Sequence, residues 1–227
     1  MDHNRRTGST AIQVDPSDVE PERSDETSEP GDTRERILRA ARELFAERGY
    51  GATAMVAIAG RADVVRATVY NNFADKTDIL ATIIRRYMHG YVEIGQRLRD
   101  EAIRRRSMFE QLEAMTQLAI DWRIENQDLR GVIDFARHTP GSGWEEANAE
   151  ADEALLAWLS EIHRAGEAQG LTHPGLDLDI ATPAVYSMIE SALSNFDVST
   201  PRRRVGVVAH QLTLVHWRAI YRVHPDK

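Results

Sequence analysis

Residues 53–73 read TAMVAIAGRADVVRATVYNNF, two short helical patterns parted by a tight turn. Two helices that cross steeply need a small residue at the crossing and apolar residues around it. Ala59 is the small residue, Ile58 and Ala62 flank it, Val64 plugs the turn, and Val69 and Phe73 face inward from the second helix. Thr53 stands where an N-cap of the first helix is wanted. The outward side of the second helix carries Arg66, Ala67, Thr68, Asn71 and Asn72. These side chains match nucleic-acid chemistry: Arg forks onto guanine, Asn onto adenine, and Thr contacts either base edges or a thymine methyl.

Upstream, Ile37, Ala41, Leu44 and Phe45 recur on one helical stripe, with Asp32 and Glu35 spaced as a capping box and Gly49 as the stop. Downstream, a long amphipathic helix opens near Lys76 with Ile79, Leu80, Ile83, Ile84 and Tyr87. Another covers about Met108 to Ile124, and a shorter one Leu129 to Arg137. After the turn-forming run at 139–143 comes a helix with Leu155, Leu156, Leu159 and Ile162, ending near Gly170. Two apolar helices, about Ile180 to Phe196 and Arg203 to Val223, complete the pattern. No period-two strand of useful length and no internal repeat is found. The predicted class is all-α, with about nine helices.

From RERILRAARELFAERGY (34–50) through TVYNNFADKTDIL (68–80) the chain resembles the tetracycline-repressor (TetR) family of regulators without a gap. Tyr70-x-x-Phe73 followed by Lys76 is the most specific element. The resemblance implies a helical homodimer that grips double-stranded DNA. It implies that Thr53, Thr68, Tyr70 and Lys76 hold the phosphate backbone, that Arg66, Ala67 and Asn71 face bases, and that Asn72 does one or the other. Two positions depart from the family's pattern: Asp63 stands where the turn commonly has Gly, and Val65 where Ser or Thr commonly caps the recognition helix. Val is a poor N-cap, at a cost of about 1 kcal/mol.

The formal charge of −8 would argue against a nucleic-acid partner if it were spread evenly. Divided along the chain, residues 1–32 carry −6, residues 33–106 carry +6 and residues 107–227 carry −8. The basic block coincides with the helix-turn-helix, and a local patch matters more to a polyanion than the total. Residues 1–32 are acidic, poor in large apolar side chains, and read as a disordered tail. Without cysteine there is neither disulfide nor thiolate metal site. No secretory signal or membrane-length apolar run is present, so a cytoplasmic protein is expected. Histidine spacing offers no metal site, no cofactor loop is seen, and no nucleophile or carboxylate pair supports an enzyme.

The expected organisation is a tail at 1–32, a DNA-binding domain at 33–80, and a helical effector-binding and dimerisation domain at 81–227. In the last, Trp122, Phe135, His138, Trp144, Trp158, His163, Tyr186 and Met188 are the candidate lining of a small-molecule pocket. Val185, Ile189 and Phe196 on one helix and Val205, Val208, Leu212 and Val215 on the next form the candidate dimer seam, the latter spaced 3, 4 and 3 residues apart. The expected function is a ligand-responsive repressor on an inverted-repeat operator, answering an unknown small effector. The alternatives are an activator without an effector, or a protein-interaction module with a weakened helix-turn-helix.

Overall fold

Helix α1 (Pro30–Arg48) opens the computed structural model, which describes residues 30–97 and 106–223. It begins before the expected capping box. Asp32 lies inside the first turn, where its charge complements the helix dipole, and the Glu35 carboxylate binds Arg86 at 2.5 Å instead of a backbone N–H. Residues 30–32 therefore belong to α1, and the rest of the expected disordered tail lies outside the described residues. The stripe of Ile37, Ala41, Leu44 and Phe45 is buried as expected, and Gly49 ends the helix in the left-handed region, with φ 80°.

Helices α2 (Met55–Ala62) and α3 (Arg66–Asn72) form the helix-turn-helix, and α4 (Lys76–Arg97) follows. Then come α5 (Met108–Glu125), a 3₁₀ turn (Gln127–Leu129), α6 (Arg130–Arg137), α7 (Trp144–Ala168), α8 (Leu178–Ser194) and α9 (Arg202–Ile220). Nine α-helices and no strand stand among the described residues, so the fold is all-α. Helix α9 stops short of the expected Val223 because Tyr221 turns extended. There Tyr221 bridges Thr172 and stacks on Trp217, with ring centres 4.0 Å apart.

Helix α4 ties the two ends of the molecule together. It passes residue 80 without a break and packs against α7, while α5 packs on α9 and α7 on α8. The small N-terminal unit leans on the larger one through the 3₁₀ turn and α6. At that joint Phe135 stacks on Tyr50 with centroids 4.8 Å apart, and Arg42 forks onto Asp128 at 2.6 and 2.7 Å. Among the described residues no helix is long and apolar enough to cross a membrane.

Candidate nucleic-acid interface and effector cleft

Ile58, Ala59 and Ala62 of α2 are buried against Val69 and Phe73, and Val64 is half-buried in the turn. Asp63 makes that turn with φ 54° and ψ 51°, the sole non-glycine residue of positive φ among those described. An Asp in this region is tolerated but strained relative to Gly. Its strain is offset from outside the motif: Arg36 of α1 donates to the carbonyls of Ala62 (2.8 Å) and Asp63 (2.7 Å). Arg34 lies 4.0 Å over the Phe73 ring and donates to the Asn72 carbonyl at 2.5 Å. Both arginines escaped the sequence reading, because on a basic helix they look the same as solvated charges. Val65 is the N-cap of α3 and offers no side-chain hydrogen bond.

The outward face of α3 brings Arg66, Ala67, Tyr70 and Asn71 together, all exposed. Arg66 reaches the Tyr70 hydroxyl at 3.2 Å, and the exposed Val56 and Val65 flank the group. The other four candidates sit differently. Thr68 is half-buried. Asn72 turns its amide back onto the Thr68 carbonyl at 2.9 Å. Thr53 is buried and is not the cap of α2, a place taken by Ala54; its hydroxyl donates to Gly49 O (3.0 Å) and Leu44 O (3.3 Å), sealing the end of α1. Lys76 donates to Tyr50 O and Thr53 O, both at 2.8 Å, and lies 4.3 Å over the Tyr50 ring. It closes the α1–α2 loop rather than pointing outward, because those carbonyls have no helical partner.

In the larger unit an open cleft of about 360 Å³ runs along α7 and α8, lined among others by Arg137, Trp144, Asp152, Tyr186 and Glu190. It deepens toward Tyr87, Tyr91 and Arg123. Arg123 pairs with Glu190 at 2.7 Å, and Tyr91 donates to the same carboxylate at 2.6 Å. Tyr186 donates to Asp152 at 2.7 Å. Burial holds the Tyr91 and Tyr186 phenols well above their ordinary pKa, so both remain donors.

Of the eight expected lining residues, Trp144 and Tyr186 face this cleft. Phe135 is occupied against Tyr50, and the exposed His138 bonds the Asp134 carbonyl at 2.8 Å at the end of α6. Trp158 is buried core and Met188 is exposed. Trp122 lines a different cleft, beside α1. The cleft is also lined by polar residues outside the expected set, among them Tyr87, Tyr91, Arg123, Asp152 and Glu190. Their cue was available, a charge interrupting an apolar stripe, as Arg123 does beside Trp122 and Glu190 beside Ile189.

The expected dimer seam also divides. Val185, Ile189, Phe196 and Val205 are buried in the protomer's own core, Val208 and Leu212 are half-buried, and Val215 is exposed. The exposed large apolar side chains of these two helices are Ile180 and Met188 on α8 and Val207 and Val215 on α9, and of these Val215 belongs to the expected seam. The larger unit also holds a buried pair, His163 and His216, whose Nε2 atoms are 2.9 Å apart, with His163 Nδ1 2.8 Å from Thr182 Oγ1. One imidazole must donate and the other accept, so at least the accepting ring is neutral. Burial lowers His163 to about 4 and His216 to about 3.

Comparison with known proteins bears on the head first. Residues 37–83 match the bacterial regulatory proteins, tetR family. That span runs from Ile37 of α1 through the helix-turn-helix to Ile83 of α4. Over 159 residues the chain is 25% identical to the HTH-type transcriptional repressor KstR2 of Mycolicibacterium smegmatis, covering 69% of this chain and 75% of KstR2. It is 44% identical over 59 residues to the HTH-type transcriptional repressor BepR of Brucella suis, 26% of this chain and 28% of BepR. The solved structure of PfmR, a TetR family transcriptional regulator from Thermus thermophilus, superposes with a TM-score of 0.63 at 25% identity, covering 81% of this chain and 97% of PfmR. With the exposed α3 face standing inside the matched span, residues 37–83 form a head of the tetR family of bacterial regulatory proteins, and the chain is a DNA-binding transcriptional regulator similar over most of its length to members of that family.

Proposed function

We propose that the protein is a ligand-responsive repressor that acts in the cytoplasm as a homodimer on an inverted-repeat operator, with a DNA-binding domain at 33–80 and an effector and dimerisation domain beyond it. The observation that carries this reading is the α3 face, where Arg66, Ala67, Tyr70 and Asn71 are exposed beside the polar groups of the head that are already bonded inward. Arg66 and Asn71 read base edges, and Tyr70 holds a phosphate. The free apolar face of Ile180, Met188, Val207 and Val215 joins two copies, as paired half-sites require.

The effector enters the cleft of Tyr91, Arg123, Arg137, Trp144, Tyr186 and Glu190. Helix α4 connects the events: Tyr87 and Tyr91 lie in the deep end of the cleft, while Lys76 at the helix start holds the α1–α2 loop. An effector that favours a different seat for α4 re-aims both heads and breaks their match to the half-site spacing. The repressor sense follows KstR2 and BepR, both repressors by name. The test is to recover DNA bound in cells and footprint it with wild type and Arg66→Ala/Asn71→Ala. Loss of the specific footprint with retained salt-sensitive binding supports the assignment; an unchanged footprint overturns it, and no specific footprint by wild type returns the interaction-module reading.

A further inference from the structure

A second cleft, of about 260 Å³, lies at the joint between the head and the larger unit. Its walls come from α1 (Glu35, Leu38, Arg39, Arg42), α4 (Ile83, Arg86, Tyr87), Trp122 at the end of α5, and Asn126 and Leu129 beyond it. Its volume falls just under the range of small-molecule sites, about 300–1,000 Å³. The floor is apolar and aromatic: Tyr87 and Trp122 lean together with ring centres 5.6 Å apart. Trp122 reaches this place because position 90 is glycine; a methyl group there would collide with the indole. The indole N–H is buried and makes no hydrogen bond, although the Tyr87 hydroxyl stands nearby.

The rim has the opposite chemistry. Three guanidinium groups face two carboxylates. Arg42 is matched to Asp128 and Arg86 to Glu35, both through forked bonds of 2.5–2.7 Å. Arg39 is exposed and makes no hydrogen bond or close ion pair among the described residues, although its charge reaches the Glu35 carboxylate; three guanidinium groups against two carboxylates leave one positive charge in excess at the rim. We propose that this joint cleft is a second ligand site, distinct from the effector cleft, that takes a small aromatic anion, with its ring system against Tyr87 and Trp122 and its carboxylate at Arg39. An acceptor atom reached by a small turn of the Trp122 ring would satisfy the idle indole N–H. Because α1 supplies one wall and α4 and α5 the others, the occupant braces the head against the larger unit. Tyr87 also lines the deep end of the effector cleft, so a single side chain separates the two sites and couples them.

The test is calorimetric titration of the full chain with 2-naphthoate, with 2-naphthol as the uncharged probe. Saturable binding of 2-naphthoate, weaker binding of 2-naphthol, and an affinity about tenfold lower in Arg39→Glu are expected. Arg39 is exposed, so this variant keeps the fold, checked by circular dichroism. Gly90→Ala, which displaces the indole, weakens the same binding by a second route. Arg137→Glu, which reverses a charge at the effector cleft, leaves it unchanged. Absence of saturable binding overturns the proposal. So does binding lost in Arg137→Glu but kept in Arg39→Glu, which would put the probe in the effector cleft and leave that reading intact.

Discussion

In the head, cations close on backbone carbonyls at helix ends: Arg34 on Asn72, Arg36 on Ala62 and Asp63, Lys76 on Tyr50 and Thr53. In the larger unit, side chain meets side chain across helices: Arg123 with Glu190, Tyr186 with Asp152, His163 with His216. The difference decides what each region tolerates. A carbonyl stays in place whatever residue carries it, and a surface cation that loses its acceptor returns to water. A buried side-chain partner exists only while its residue does, and its loss strands a charge or a polar group.

The largest effect is therefore expected at Glu190. Glu190→Ala leaves Arg123, little exposed and facing two phenols, without its carboxylate, at a cost of about 3 kcal/mol in denaturant unfolding. In the head, Arg61→Ala, which breaks exposed pairs with Glu43 and Glu47, is expected to leave the unfolding midpoint where it was. Equal losses for the two variants would break the contrast.

The next effect is read through pH. Both buried histidines are lowered from 6.5, His163 to about 4 and His216 to about 3, so the native state binds fewer protons than the unfolded chain below 6.5. Stability contributed by the neutral pair is whole above that value and falls as acid is added, down to the folded pKa values. The limiting slope is about 1.4 kcal/mol per pH unit for each histidine, giving a loss of about 2 kcal/mol between about pH 7 and pH 5.5. Urea titrations at the two pH values measure it, and His163→Leu should flatten the dependence. A wild type equally stable at both overturns the reading that burial holds both rings neutral.

How much of this was legible follows the same division. The helix-turn-helix is written within one short stretch, so Ala59, Val69 and Phe73 could be assigned by spacing, and their burial matches the reading. The cleft proposed for the effector joins Tyr91 to Glu190 and Arg123 to Glu190 across 99 and 67 positions, a pairing no local pattern announces. Aromatic residues are what a sequence suggests for such a lining, because they suit ligand contacts. Phe135 and Trp158 were needed instead for packing, one at the joint and one in the core. The expected dimer seam divides by phase: the valines at 185 and 205 have the right spacing but are buried in the protomer, while Val215 of the same seam is exposed, as are Ile180 and Val207.

Lys76 gives a smaller and sharper test of the head, because two readings of it diverge. As a phosphate contact, its removal would flatten the salt slope of DNA binding by about one unit. As the closure of the α1–α2 loop, Lys76→Ala is expected to destabilise the head by about 1.5 kcal/mol, since hydrogen bonds to a charged donor are worth more than neutral ones. The salt slope then stays unchanged while binding weakens for every sequence. Binding isotherms over a salt series, beside a thermal melt, separate the two.

The smallest effect concerns Asp63 and Val65, where the head departs from its own economy of bonding. Val65 caps α3 with no acceptor, although it has the extended backbone of a cap, φ −72° and ψ 153°. A serine there needs no change of backbone to reach the free N–H groups of the first turn, and Val65→Ser is expected to add roughly 0.5–2 kcal/mol. Asp63→Gly relieves the left-handed strain at φ 54° and removes an acid beside the DNA-facing helix, while Arg36 keeps its hold because it binds the backbone carbonyls of positions 62 and 63. Gly also loosens the unfolded chain, which offsets part of that relief. The double variant is expected to melt slightly higher and to bind the same operator several-fold more tightly, with Arg66 and Asn71 untouched and the preferred sequence unaltered. The measurement is a pair of isotherms on one recovered operator, each repeated on an operator with one changed base pair. Tighter binding to both in equal proportion assigns the gain to the frame of the head; a changed ratio would mean that Asp63 or Val65 takes part in reading, and weaker binding that one of them makes a contact with DNA.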